Sequence, residues 1–231
     1  MLSLEEREIR RKQLGASEIH KILNFDSQIA QDLWELKLGL QDYEELDNDA
    51  ITSGNILEED CLKYYEKVNN CELIFNERIE HKRIKGLVVS LDAREKATSI
   101  PIENKVINEK TFRSWVAKRS YNAIYEGIRF NIPIGYYCQV QIQMAVLEVG
   151  KGILNVNTLT DEEQEDPINV IITDLHNKQI EILRNEKLIN ELEKRVEYFI
   201  DCIIHKKRPN ENDYLEKEVY WWTLIIIWKM T

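Results

Sequence analysis

Residues Lys85 to Ile107 read KGLVVSLDAREKATSIPIENKVI, and the fold is decided in this stretch. Two apolar, β-branched runs flank a short polar segment, which predicts a pair of antiparallel strands. One run carries a lone acid, Asp92, and the other carries Glu103 and Lys105 in apolar company. Alternate residues of a strand share a face, so Glu103 and Lys105 point the same way and a hairpin sets Asp92 beside them. Two carboxylates and an ammonium at one sheet end are costly unless something organises them. A divalent cation with oxygen ligands, Mg²⁺ or Mn²⁺, would do so. It would acidify a bound water and polarise a phosphoryl oxygen, while Lys105 orients the hydroxide or stabilises charge on the phosphate. A surface hairpin closed by a salt bridge suits the same residues, and spacing alone does not separate the two readings.

Composition sets the bounds. The chain has 231 residues, 43% hydrophobic and 31% charged, which suits one large folded domain or one domain with a small appendage. No apolar run reaches the length of a membrane span, and the charged start MLSLEEREIRRKQ lacks the apolar core of a signal peptide. Cys61, Cys71, Cys138 and Cys202 form no C-x-x-C pair, so reduced thiols in a cytosolic protein are expected. His20, His81, His176 and His205 have no metal-ligand spacing. The net charge of −10 excludes a surface coated in basic residues but leaves room for a local basic channel. Three basic clusters are candidates for it, at Arg7–Lys12, His81–Lys85 and Ala117–Arg119, although each also suits a solvated helix face or turn.

The remaining chain predicts a mixed α/β domain with a central sheet and helices packed on it. GASEIHKIL reads as a turn with Ser17 at an N-cap, followed by a helix. QDLWELKLGL reads as a helix ending at Gly39. SGNILEEDCLKYYEKV reads as a helix from about Ser53, which puts Gly54 and Glu58 at its start and a third carboxylate within reach of the site. ELIFNERI reads as a strand, TFRSWVAKR and YYCQVQIQMAVLEVG as helices. GILNVNTL and INVIITDL read as strands, and the stretch from about Lys178 to His205 as a long amphipathic helix. Gln139 and Gln143 lie one turn apart on an otherwise apolar helix, with Gln141 on another side. Buried amides need partners, and an active site would supply them. Ordinary exposed positions would equally suit glutamine.

The ordered set RRKQLGASE, SGNILEE, VVSLDA, PIENK and YYCQVQIQMAV resembles the lambda-exonuclease and YqaJ-like viral recombinase family of phage alkaline exonucleases, within the PD-(D/E)XK nuclease superfamily. The resemblance covers about Arg10 to Gly150, with a weaker echo near KKRP. It implies a restriction-endonuclease-like core, a central mixed sheet flanked by helices, in a single nuclease domain over 1–213. The resemblance does not reach residues 214–231, an apolar tail too short to span a bilayer, which would pack on the domain, make a subunit contact or stand as an exposed apolar liability. The implied activity is Mg²⁺-dependent (or Mn²⁺-dependent) 5′→3′ digestion of one strand of linear duplex DNA, exposing single strand for recombination by annealing. Residue by residue, Asp92 and Glu103 become metal carboxylates, Asn104 offers a backbone carbonyl to metal, and Lys105 is the catalytic lysine. Glu58 is the helix acid and Gln139 lies beside the site. Arg10, Ser17 and Ser90 match the residues that hold the 5′-phosphate, with Arg11 replacing Arg10 if the loop differs by one residue. The resemblance also implies double-stranded DNA ends as partner, a single-strand annealing protein of the Bet or RecT type, a homotrimeric ring, and a cytoplasmic setting in a bacterial or phage-infected cell. Two departures stand out: Leu91 where the superfamily name has proline, and Asn104 where the family usually has an apolar residue. Other readings are a different PD-(D/E)XK nuclease, such as an endonuclease or a CRISPR-associated exonuclease holding an iron–sulfur cluster, and a non-catalytic DNA-binding relative.

Overall fold

The computed structural model describes residues 4–42, 49–116, 123–125 and 128–216. In chain order these form α1 (Leu4–Arg11), β1 (Leu14–Gly15), a 3₁₀ helix over Ala16–Ile22, α2 (Gln28–Lys37), α3 (Asp49–Asn69), β2 (Leu73–Glu80), β3 (Leu87–Glu95) and β4 (Pro101–Asn108). Then come α4 (Glu109–Val116), β5 (Ala123–Tyr125), β6 (Ile128–Phe130), α5 (Ile134–Leu147), β7 (Lys151–Leu159), α6 (Asp161–Glu165), β8 (Asn177–Leu183) and α7 (Glu186–Ile204).

All eight strands join one mixed sheet in the order β1-β3-β4-β7-β8-β5-β6, with β2 on the other edge of β3. Strand β2 runs antiparallel along most of β3, from Leu73↔Glu95 to Glu80↔Val88. The opposite edge of β3 is shared. Strand β1 pairs with it at Leu87 and Val88, and β4 pairs with it at Ala93 and Arg94. Among the described residues no strand covers 89–92 on that edge, so the predicted hairpin opens into a notch at Asp92. Beyond the notch β4 pairs in parallel with β7, from Ile102↔Ile153 to Asn108↔Leu159. Parallel pairing requires a long crossover, and residues 109–150 supply it.

The notch is held open by packing on both faces. Helix α5 is buried almost all round. Its Cys138, Ile142 and Val146 join a core with β3, α7 and the 3₁₀ helix, while Val140 and Met144 join a second core with β7 and β8. Each fully buried aliphatic side chain contributes about 1.5–3 kcal/mol. Gly152 is fixed by this contact, since a Cβ there would sit 2.5 Å from the Val140 side chain. Helix α3 covers the other face through Leu57, Cys61, Leu62 and Tyr65.

Four expectations are corrected. The stretch Ile168–Leu175 is not a strand: Pro167–Asn169 forms a 3₁₀ turn, and Ile168, Ile171 and Leu175 are exposed. Its apolar residues do not alternate in a way that buries one face, and only Ile172 is buried in the core under α3. The long helix begins at Glu186 rather than Lys178, because Ile180 and Ile182 alternate into the core and pair with β7. Asn185 then caps α7 by accepting from the Leu188 amide. Helix α3 begins at Asp49, so Gly54 and Glu58 lie within it. Gly15, not Ser17, occupies the N-cap of the 3₁₀ helix, and its amide donates to Glu18 at 2.8 Å. Ala117–Arg119 and the tail beyond residue 216 lie outside the described residues.

Candidate active site

Strand β4 runs between two helices, so its alternation decides what each side chain meets. Ile102 and Val106 pack under α3, while Ile107 packs toward α5. Glu103 and Lys105 therefore face α5. Glu103 is buried, with 1% of its surface exposed. One of its oxygens accepts from the Lys105 ammonium and the other from Gln143 Nε2 at 2.6 Å. The ammonium also lies 5.6 Å from the centre of the Tyr136 ring, within cation–π range.

Asp92 closes the constellation from β3. Its Oδ2 accepts from the Asn104 amide at 2.7 Å, across the notch. A strand residue's N–H and C=O leave the same edge, so the Asn104 carbonyl opens toward that gap too. Burial pushes the Asp92 carboxyl up to about 7, and the charge of Glu103 adds to it. Lys105 and the Asn104 amide oppose the rise, and Glu58 on α3 adds a smaller push upward. Burial works against the charge on Lys105, yet Glu103 and Asp92 outweigh it and hold that pKa above normal. Asp92, Glu103, Lys105 and Glu58 thus share one electrostatic neighbourhood.

Gln139 lies one turn from Gln143, half-buried, and forms no hydrogen bond among the described residues. Gln143 is the glutamine that touches Glu103, and its Oε1 is buried without a partner. Gln141 is structural: it accepts from the Asn185 amide and donates to the Leu183 carbonyl. Among the described residues no group of three or more His, Cys, Asp or Glu is placed to hold a metal ion. The donors at the notch are nonetheless all oxygen, from Asp92, Glu103 and the Asn104 carbonyl. That set fits a hard cation completed by water.

Sequence reasoning missed what lies on the α3 face of β4. Asn104 Oδ1 accepts from Asn155 at 2.9 Å and Asn157 at 3.0 Å. Asn177 then donates to Asn155 and Asn157 at 2.7 and 2.9 Å, and Gln179 donates to Asn177 at 3.2 Å. This amide ladder supplies the buried Asn104 side chain with its partners. The asparagines at alternate positions of GILNVNTL are the signal that carried it.

At the other end of the notch, Ser90 lies two residues before Asp92 on the same face of β3 and is exposed. Arg78, directly opposite on β2, donates to Ser90 Oγ at 3.2 Å and to Gln13. Continuing the parallel register of β1 would bring Ser17 level with Ser90, but the chain turns into the 3₁₀ helix at Ala16. Arg10 is exposed, and its carbonyl accepts from Lys37 at 3.0 Å. Lys37 also grips Glu18, tying α1 and α2 to the segment that carries Ser17. Arg11 is already paired with Glu8 and Asp42. The cluster His81–Lys85 is largely neutralised: His81 and Arg83 meet Glu193, and Lys82 meets Glu148.

The mixed sheet, notched beside Asp92 with Glu103 and Lys105 two apart on the next strand, has the fold of solved exonucleases. The solved structure of the alkaline exonuclease LHK-Exo from Laribacter hongkongensis matches with a TM-score of 0.68 at 19% identity, covering 95% of this chain and 100% of that one. Its complex with dAMP matches equally. A phage-related exonuclease from Haemophilus somnus matches with a TM-score of 0.57 at 16% identity, covering 84% of this chain and 96% of that one. Among curated proteins no sequence matches the chain. The YqaJ-like viral recombinase domain matches residues 7–153, and the chain belongs to that family.

Proposed function

We propose that the protein is a divalent-metal-dependent 5′→3′ exonuclease that digests one strand of linear duplex DNA. The observation that carries this reading is the grouping of Asp92, Glu103 and Lys105 at a notch in the sheet, within a chain of the YqaJ-like family. Asp92, Glu103 and the Asn104 carbonyl would hold Mg²⁺ or Mn²⁺, with Glu58 contributing from α3. The bound cation supplies an acidified water and neutralises charge on the scissile phosphate. Lys105 would orient the attacking water and offset charge on the phosphoryl oxygens. Gln143 holds the Glu103 carboxylate in place, and Gln139 faces the substrate side one turn away. Arg10, Ser17 and Ser90 would seat the 5′-phosphate, and the two carboxylates on Arg11 make it the weaker candidate.

The exposed strand must be handed on, so an annealing protein of the Bet or RecT type is the expected partner. A homotrimeric ring around DNA would let an acidic exterior coexist with a basic lumen. No helix among the described residues is long and apolar enough to cross a membrane. The cytoplasm of a bacterial or phage-infected cell is the proposed setting.

The test uses end-labelled linear duplexes with and without Mg²⁺, carrying 5′-phosphate or 5′-hydroxyl ends, beside a covalently closed plasmid. Metal-dependent release of nucleotides from phosphorylated ends, with the plasmid intact, is the expected result. Nicking of closed circles at a comparable rate would replace this reading with an endonuclease. Absence of cleavage with intact metal binding would favour a non-catalytic DNA-binding relative.

A further inference from the structure

The Arg78 guanidinium is exposed, yet it is held in place by two neutral acceptors, Ser90 Oγ and Gln13 Oε1. No carboxylate pairs with it among the described residues. The nearby acids are engaged elsewhere. Glu77, its neighbour on β2, is taken by Arg94. Glu80, on the same face of β2, accepts from the Gly86 amide at 2.9 Å. The basic cluster at His81–Lys85, by contrast, has its acids supplied.

Position adds meaning to the missing counter-charge. Arg78 is in direct register with Ser90, and Ser90 and Asp92 are alternate residues on one face of β3. The guanidinium thus lies over the face of β3 that carries both Ser90 and Asp92, one alternate position along the strand from the carboxylate proposed to hold the metal. Its contact with Gln13 also bridges β2 to the segment between Arg10 and Ser17. A serine hydroxyl and a fork of N–H donors without a counter-ion form an anion seat, since Arg binds phosphate through paired donors.

We propose that Arg78 is a specificity-determining residue that grips the terminal phosphomonoester of the DNA strand together with Ser90. This rests on the exonuclease reading above and assigns a cation that the resemblance did not supply. Its consequence is discrimination by charge. A terminal phosphate carries close to two negative charges at neutral pH, whereas each internal phosphodiester carries one. A guanidinium beside Ser90 rewards the extra charge and so favours strand ends over internal positions.

The experiment measures binding of short duplexes, labelled at the 3′ end and bearing 5′-phosphate or 5′-hydroxyl, to the full chain in chelator. The quantity read is the ratio of the two affinities for wild type, Arg78→Ala and Arg78→Lys. Loss of one charge-assisted contact should reduce the ratio by about tenfold to a hundredfold in Arg78→Ala. Arg78→Lys should recover part of it, keeping the charge but not the fork. A ratio unchanged in Arg78→Ala overturns the proposal. So does an equal loss on both ends, which marks a general backbone contact or damaged folding. A wild type that binds both ends alike overturns it as well. Digestion of linear duplex by wild type with Mg²⁺ is scored separately, so failure of the exonuclease reading is distinguishable from failure of this one.

Discussion

On the α5 side of β4, the Glu103 carboxylate accepts from the Lys105 ammonium through one oxygen and from Gln143 through the other. On the α3 side of the same strand, Asn104 is uncharged and is held by amides from two neighbouring strands. Successive residues, one peptide apart, thus meet different requirements. The first face keeps charge in a buried place and needs exact compensation nearby, because an uncompensated buried carboxylate would simply protonate. The second face needs only hydrogen-bond partners, and it anchors the peptide whose N–H and C=O face Asp92. The comparison teaches that the site is built by one strand with two kinds of polarity, not by a loop.

The contrast is broken most severely on the charged face. Asp92→Ala or Glu103→Ala should reduce digestion to the background of the assay, while circular dichroism shows a retained fold. Full-rate digestion by Asp92→Ala would remove these residues from the site. Lys105→Ala should lower turnover by about a hundredfold to a thousandfold, as for loss of a charge-stabilising donor, with metal affinity by calorimetry retained.

The supporting amide comes next. Gln143→Ala should cost about tenfold to a hundredfold in metal affinity or turnover, the usual range for a residue that orients a ligand. Gln139→Ala should cost less. A larger effect at Gln139 would mean that direct contact with the substrate outweighs support of Glu103.

On the uncharged face the effect should be on stability. Asn104→Val leaves the Asn155 and Asn157 amides without their acceptor, at about 1–3 kcal/mol for an unsatisfied buried group. The melting midpoint should fall by about 2–4 °C per kcal/mol, with a smaller relative change in turnover. A midpoint equal to wild type would show the ladder to be dispensable.

A separate effect concerns the metal-free protein. The Asp92 carboxyl sits near 7 when folded against 3.8 ordinarily, so between those values the folded state holds a proton that the unfolded chain releases. Stability is therefore unaffected by this group below about pH 4 and is lost as pH rises from there through about 7, where the folded carboxyl gives up its proton. In chelator, Asp92→Asn should therefore melt later than wild type at pH 8, by about 2–4 °C for each kcal/mol relieved, and match it near pH 4. A gap that does not change with pH would contradict the buried-acid description.

Much of this was legible in the chain. The strands β2, β3, β4 and β7 follow from short apolar, β-branched runs, helix α5 from a longer apolar run broken only by its glutamines, and Asp92, Glu103 and Lys105 from charges set in apolar runs. The helix read over Lys178 failed because NKQIEIL can serve either period, and only pairing with β7 decides for the strand. The ladder was hidden because asparagine normally marks turns, and its buried use depends on three strands meeting in register. Arg78 was hidden for a similar reason: its meaning comes from lying opposite Ser90, a pairing made only when β2 folds onto β3. Gln143 was seen but ranked behind Gln139, since sequence cannot say which turn of α5 reaches Glu103.

Cys61 lies on α3 against the ladder, fully buried, with its thiol pushed up to about 12 by burial. Cys138 and Cys202 are also buried, and Cys71 alone is partly open to solvent. At neutral pH the intact protein therefore offers a thiol reagent one slow target, and Cys61 reacts only when α3 lifts from the sheet. The native thiols are thus a built-in clock: the rate at which Cys61 itself takes up label measures how often the floor beneath β4 opens.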